Sequence, residues 1–201
     1  MKNLNIIFVL STLAAMVLIL ELDNGEATLR TGDISFISFK STNEDGFAII
    51  TFVDLPPGTK IRFIDSEWNG NHFGFDENDV LWQTGDKLIE AGSVISFMDL
   101  NSEQSSVDHG KILGTMNLSS KKEAIFAYVG DERMPTKFLA ACANNSIGYK
   151  TLINTDLVEG QTAITYPEGT TYARYIGPSY YQNSTKFREA LNHMGNYFLQ
   201  N

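Results

Sequence analysis

The chain is poor in the residues that build disulfide frameworks and metal clusters. It carries one cysteine, Cys142, and three histidines, His72, His109 and His193. One cysteine excludes an intramolecular disulfide and a cysteine-rich zinc site. Basic residues are scarce too. Fifteen Lys and Arg stand against 24 Asp and Glu, a formal charge of −9 over 201 residues. That balance disfavours nucleic acid, whose phosphates require basic patches. Lys121-Lys122 is a lone basic pair before a strand-like run. No GxSxG, HExxH, P-loop or GxGxxG pattern occurs, so no familiar catalytic motif marks the chain as an enzyme.

Long hydrophobic runs are also missing. The one sizeable run, residues 5–20, is about 15 residues long and is interrupted by Ser11 and Thr12, short of the roughly 20 that span a bilayer. Lys2 precedes it, and Gly25 and Ala27 follow as a small-x-small pair. This is the pattern of a signal peptide over 1–27, cleaved after Ala27. The expected product, 28–201, is a single secreted domain with no membrane span.

What the chain has is apolar residues, 43% of the total, enough for a real core. They fall in short runs rich in Ile, Phe, Val and Thr, bounded by Gly, Asp, Asn or Pro. Asp33 to Lys40 and Phe47 to Asp54 read as a hairpin with a loop of about six residues. Leu55-Pro56-Pro57-Gly58 breaks the chain. Lys60 to Asp65 resumes, with Ile61 and Phe63 on one face. Val80 to Gln83, Ser93 to Met98, Glu123 to Val129 and Lys137 to Ala141 continue the pattern. The segments 71–79, 101–110 and 144–150 read as polar connections. Near the end the period changes: Phe187, Ala190, Leu191, Met194 and Phe198 follow helical spacing, with Ser184 or Thr185 as the cap. The expected fold is mainly β: an antiparallel β-sandwich with one C-terminal helix.

Several segments carry a resemblance. GDISFISFK at 32–40, DGFAIITFVD at 45–54, LPPGTKIRFIDSEW at 55–68, EAIFAYVG at 123–130 and TKFREALN at 185–192 resemble, in order and spacing, a domain of secreted bacterial surface proteins. That domain is similar to lamin-tail-like β-sandwiches. The resemblance covers roughly residues 31–195. It implies a sandwich fold and secretion, and no particular chemistry.

Candidate sites concentrate in residues 65–79, DSEWNGNHFGFDEND. Oxygen-rich loops suit Ca²⁺, which takes six to eight oxygen ligands. Asp65, Glu67, Asn69, Gly70 and Asp76 echo positions of a calcium loop, so Asp65, Glu67, Asn69, Asp76 and Asp79 are the candidate metal ligands. Trp68 would anchor the loop. A second acidic group is Asn43, Glu44 and Asp45, in the first hairpin turn. Aromatics flank the loop: Trp68, Phe73, Phe75 and Trp82. Tyr180 and Tyr181 follow Gly177-Pro178. Exposed rings beside Asn and Asp suit sugar binding, which makes Trp68, Trp82, Tyr180 and Tyr181 candidate ligand-binding residues. Asn117, Asn144 and Asn183 stand in Asn-x-Ser/Thr sequons and are glycosylation candidates. Cys142, in Ala-Ala-Cys-Ala, reads as a buried thiol or as a bridge between two copies.

The function these features support is non-catalytic binding to an extracellular glycan or protein, with Ca²⁺ ordering the 65–79 loop. Two alternatives stand beside it. One is carbohydrate binding through aromatics. The other is hydrolysis by a carboxylate pair or a Ser-His-Asp set assembled in space.

Overall fold

A computed structural model describes residues 28–75, 78–179 and 183–201. It is mainly β. Along the chain run β1 (Ile34–Lys40), β2 (Gly46–Thr51), β3 (Lys60–Ile64), β4 (Asp79–Gln83), β5 (Val94–Met98), β6 (Ser106–Val107) and β7 (Lys111–Leu113). Then come β8 (Ala124–Asp131), β9 (Met134–Ala143), β10 (Ala163–Thr165) and β11 (Tyr172–Tyr175). Helix α1 (Ser184–Leu191), a short 3₁₀ turn (Met194–Asn196) and β12 (Tyr197–Gln200) close the described chain. The first sheet has the order β12-β11-β1-β2-β5-β6, the second β10-β9-β8-β3-β4-β7. Strand pairs are antiparallel except β9 with β10.

Alternation along the strands places aromatic rings between the sheets. Phe47 faces Phe97 across β2 and β5, stacked at 4.7 Å. Phe63 enters from the second sheet, 4.8 Å from Phe47 and 4.9 Å from Phe97. Ile61, Phe63 and Trp82 are fully buried in this core. Such ring pairs contribute beyond their buried area.

The other side of the second sheet is buried as well. Ile64, Ala124, Phe126 and Tyr128 form a second cluster with Trp68, Phe73, Phe138, Tyr149 and Leu157. A strand alternating apolar with polar would leave that side to water. Here a layer of loops covers it, and this layer is the setting of the candidate site.

The C-terminus departs from the helix expected through Phe198. α1 stops at Leu191, and β12 pairs with β11. Asn192 ends the helix. Its side-chain amide reaches the Ser35 hydroxyl, the Gln161 carbonyl and the Arg188 carbonyl. Tyr197, not Phe198, is the residue that turns inward, its hydroxyl within hydrogen-bond distance of the carbonyls of Leu191 and Phe36. Met194 and Phe198 are exposed. The cap is Asn183, whose side chain accepts from the Lys186 N–H at 2.8 Å, one residue before the two expected. Three further strands, β6, β7 and β10, are too short to show a period in sequence.

Cys142 is fully buried on β9. Burial pushes its thiol far up from its ordinary value, so it behaves as a small hydrophobe, and a bridge to a second copy would require unfolding.

The hairpin turn Asn43, Glu44, Asp45 serves the fold. Asn43 takes the left-handed conformation, φ 63°. Glu44 pairs with Lys40 at 3.0 Å. Asp45 is buried, and its carboxylate accepts from the Leu118 N–H at 2.8 Å. Burial raises its pKa above the ordinary 3.8. Between 3.8 and the raised value the unfolded chain has already lost this proton and the folded chain has not. The stability from this group is therefore full below 3.8 and is lost as pH rises through the window. Asp45→Asn should flatten the stability–pH curve there, read by urea unfolding at a series of pH values. An unchanged slope would refute the assignment.

Candidate functional site

The loop layer has three parts. One is the segment after β3, residues 65–75. The second is 144–158, after β9. The third is the tip of the β8–β9 hairpin, 131–134.

Trp68 locks the first two together. It is 4% exposed. Its ring lies 5.0 Å from Phe73 and 5.0 Å from Phe138, both edge-on. An indole N–H buried without a partner would be costly, and this one donates to the Ile153 carbonyl at 2.8 Å. The Trp68 N–H donates to the Tyr149 carbonyl at 3.1 Å. Trp82 is likewise structural, with no exposed surface and its N–H on the His109 carbonyl at 2.7 Å. Neither tryptophan offers a stacking surface to a ligand. The sequence shows an indole but not its orientation, and in both cases the apolar body goes to the core while the N–H finds a carbonyl.

The loops are joined further by side chains from residues with left-handed backbone. Arg133, Lys150, Asn154 and Asp156 have φ of 57° to 63°. The Arg133 guanidinium donates to the Gly74 carbonyl. Asn154 donates to the Gly70 carbonyl at 2.9 Å. Lys150 lies 3.9 Å from Glu67, and Asp156 pairs with Lys137 on β9 at 2.9 Å. Residues with positive φ other than glycine are uncommon and gather where surrounding contacts over-determine the backbone. Gly130, at φ 138°, sets the hairpin tip, because a Cβ there would run into the Met134 carbonyl.

The candidate metal ligands diverge. Asp65 is buried, and its carboxylate accepts from the Asn117 N–H at 3.3 Å. Glu67 faces Lys150. Asn69 turns back on its own loop, its carbonyl oxygen accepting from the N–H groups of Asn71 and His72 at 3.0 Å each. Asp79 pairs with Arg62 at 2.7 Å and accepts from the Tyr128 hydroxyl at 3.2 Å. Burial holds that phenol well above its ordinary pKa, so it stays a donor. Asp76 lies outside the described residues, as do Tyr180, Tyr181 and the expected signal peptide 1–27. Among the described residues no three acidic, His or Cys side chains gather as a metal would need. A bound ion at a hundredfold excess over Kd adds about 2.7 kcal/mol, roughly 5–10 °C for a chain this size. With these carboxylates engaged in the fold, Ca²⁺ and EDTA should give the same melting temperature. A rise with Ca²⁺ that EDTA reverses would show that the loop rearranges around a cation.

The histidines lie on separate loops, two of them with local roles. The His72 ring sits 2.8 Å from the Asn69 amide and 2.8 Å from the Phe73 carbonyl. His109 lends its carbonyl to Trp82. The His193 ring accepts from the Gly195 N–H at 3.2 Å and caps the 3₁₀ turn.

The sequons differ in the same way. Asn117 and Asn183 are exposed. Asn144 has no exposed surface. Its carbonyl oxygen accepts from the Glu123 N–H at 2.8 Å, and its amide donates to the Ser119 carbonyl at 2.8 Å. A glycan on that nitrogen is incompatible with this packing.

What the layer presents outward is apolar. The three most exposed large hydrophobic residues among those described are Phe75 at 82%, Ile153 at 65% and Met134 at 63%. One stands on each of the three parts. Ile147 is exposed on the second part as well. The Phe75 ring leans on His72, centroids 5.6 Å apart. Sequence named Phe75 only as one of several flanking aromatics and gave no sign of Ile153 or Met134. An apolar residue in a loop has no period to show which way it points. No family model, curated protein or solved structure matches the chain.

Proposed function

We propose that the protein is exported and acts outside the cell as a non-catalytic binding domain, and that the loop layer over the second sheet is its contact surface. One observation carries this reading: the three most exposed apolar side chains sit on the three loops of that layer. Exposed apolar groups on loops held by a rigid frame mark interaction sites. The signal-peptide pattern over 1–27 and the resemblance to secreted surface domains support export.

Carbohydrate is the second reading, favoured by the Phe75 ring beside His72 with Asn69 and Asn71 on the same loop.

The test is a screen of the purified protein against a glycan array and a displayed peptide library, repeated with Phe75→Ser. The side chain is 82% exposed, so stability should hold within about 0.5 kcal/mol. Affinity for any ligand found should fall at least tenfold, the loss expected of a central contact. Binding that is indifferent to Phe75 would reject this surface.

A further inference from the structure

The charges around the apolar residues narrow the ligand class. The positive groups of the layer are engaged within it. Lys150 faces Glu67, Lys137 holds Asp156, and Arg133 reaches the Gly74 carbonyl. Asp131 and Glu132 are different. They are exposed at the hairpin tip, directly before Arg133 and Met134, and among the described residues neither forms an ion pair. The layer thus presents exposed apolar side chains together with two exposed carboxylates at its hairpin tip, on a chain of formal charge −9.

Such a field draws cations and repels anions. It works against an anionic lipid surface. It works equally against a second copy of this chain, which carries the same charge. A neutral glycan gains nothing from it. We infer that the loop layer takes a basic segment of a partner protein, one that sets Lys or Arg beside an aromatic or aliphatic side chain. The inference rests on the reading of this layer as the contact surface. Phe75, Ile153 and Met134 would supply the apolar contact, while Asp131 and Glu132 would set the preference for positive charge.

The experiment pans a displayed random peptide library on the purified protein and measures the enriched peptides against three forms: wild type, Phe75→Ser, and the double variant Asp131→Lys with Glu132→Lys. The enriched peptides should carry net positive charge next to an apolar residue. Their affinity should fall at least tenfold in both variants and should weaken as NaCl rises from 50 to 300 mM, as screening predicts. If the double variant unfolds, Asp131→Asn with Glu132→Gln replaces it, and about a threefold loss is then expected. Peptides that need Phe75 but are neutral or acidic, or that ignore the charge changes, would overturn the partner class and leave the surface standing. Peptides that bind Phe75→Ser as well as wild type, or a library that yields none, would overturn both.

Discussion

Trp68→Ala should destabilise the protein by about 3–5 kcal/mol, the range for removing a large buried aromatic, and should release two loops at once. Trp68 is the piece on which both close. Its ring packs on Phe73 of its own loop and on Phe138 of β9. Its indole N–H holds the Ile153 carbonyl, 85 residues away in sequence. Alanine leaves a cavity beside Phe73 and Phe138 and an unpaired carbonyl in the facing loop. The core between the sheets, with Phe47, Phe63 and Phe97, does not touch this residue's cluster. Hydrogen exchange should therefore speed up over 66–75 and 147–157 together, while β2 and β5 keep their protection. Urea unfolding gives the energy and exchange gives its location. A cost below about 1 kcal/mol, or one loop loosening without the other, would mean that the layer is not a unit.

Asn144→Ala should cost about 2–4 kcal/mol, because its amide joins three segments. Its carbonyl oxygen takes the Glu123 N–H, and its nitrogen serves the Ser119 and Thr170 carbonyls at 2.8 Å and 3.4 Å. The Glu123 carboxylate completes the knot by accepting from the Ser119 N–H at 2.6 Å. Truncation strands a buried donor and two acceptors, and each buried group left unsatisfied costs about 1–3 kcal/mol. A polar isostere is no remedy: Asp supplies the acceptor but loses the donors. When the protein is made in a host that glycosylates Asn-x-Ser/Thr, folded material should carry glycan at Asn117 or Asn183 and none at Asn144. Folded protein with an occupied Asn144 would contradict the packing described here.

The architecture was legible because its signals are local and periodic. Phe36, Phe47, Phe63 and Phe97 lie in short apolar runs bounded by turn residues, which is what a sandwich strand leaves in sequence. The helix was legible at its start and not at its end. Met194 and Phe198 fit the helical spacing, but Asn192 and Tyr197 each have tertiary partners that outweigh it. The loop layer was half legible. The stretch 65–79 stood out by composition, yet composition suggests oxygen ligands whether the carboxylates meet an ion or meet Arg62, Lys150 and a backbone amide. Residues 144–150 read as a plain connection, because the role of the loop they open depends on contacts with Trp68 that span more than 80 residues. Phe75 stood out only as one of several flanking aromatics, and Ile153 and Met134 gave no signal. Exposure belongs to the assembled fold, and a residue type in a loop does not encode it.

The most direct test of the loop layer as contact surface compares one exposed apolar residue on that layer with one on a strand of the second sheet. Leu113, at 58% exposed, lies on β7, at the edge opposite β10. Phe75 lies on the loop layer. With any ligand found by array or library, Kd should rise at least tenfold in Phe75→Ser and stay unchanged in Leu113→Ser, both variants keeping the wild-type melting temperature. Equal losses in the two, or a loss confined to Leu113→Ser, would place the contact surface elsewhere on the molecule.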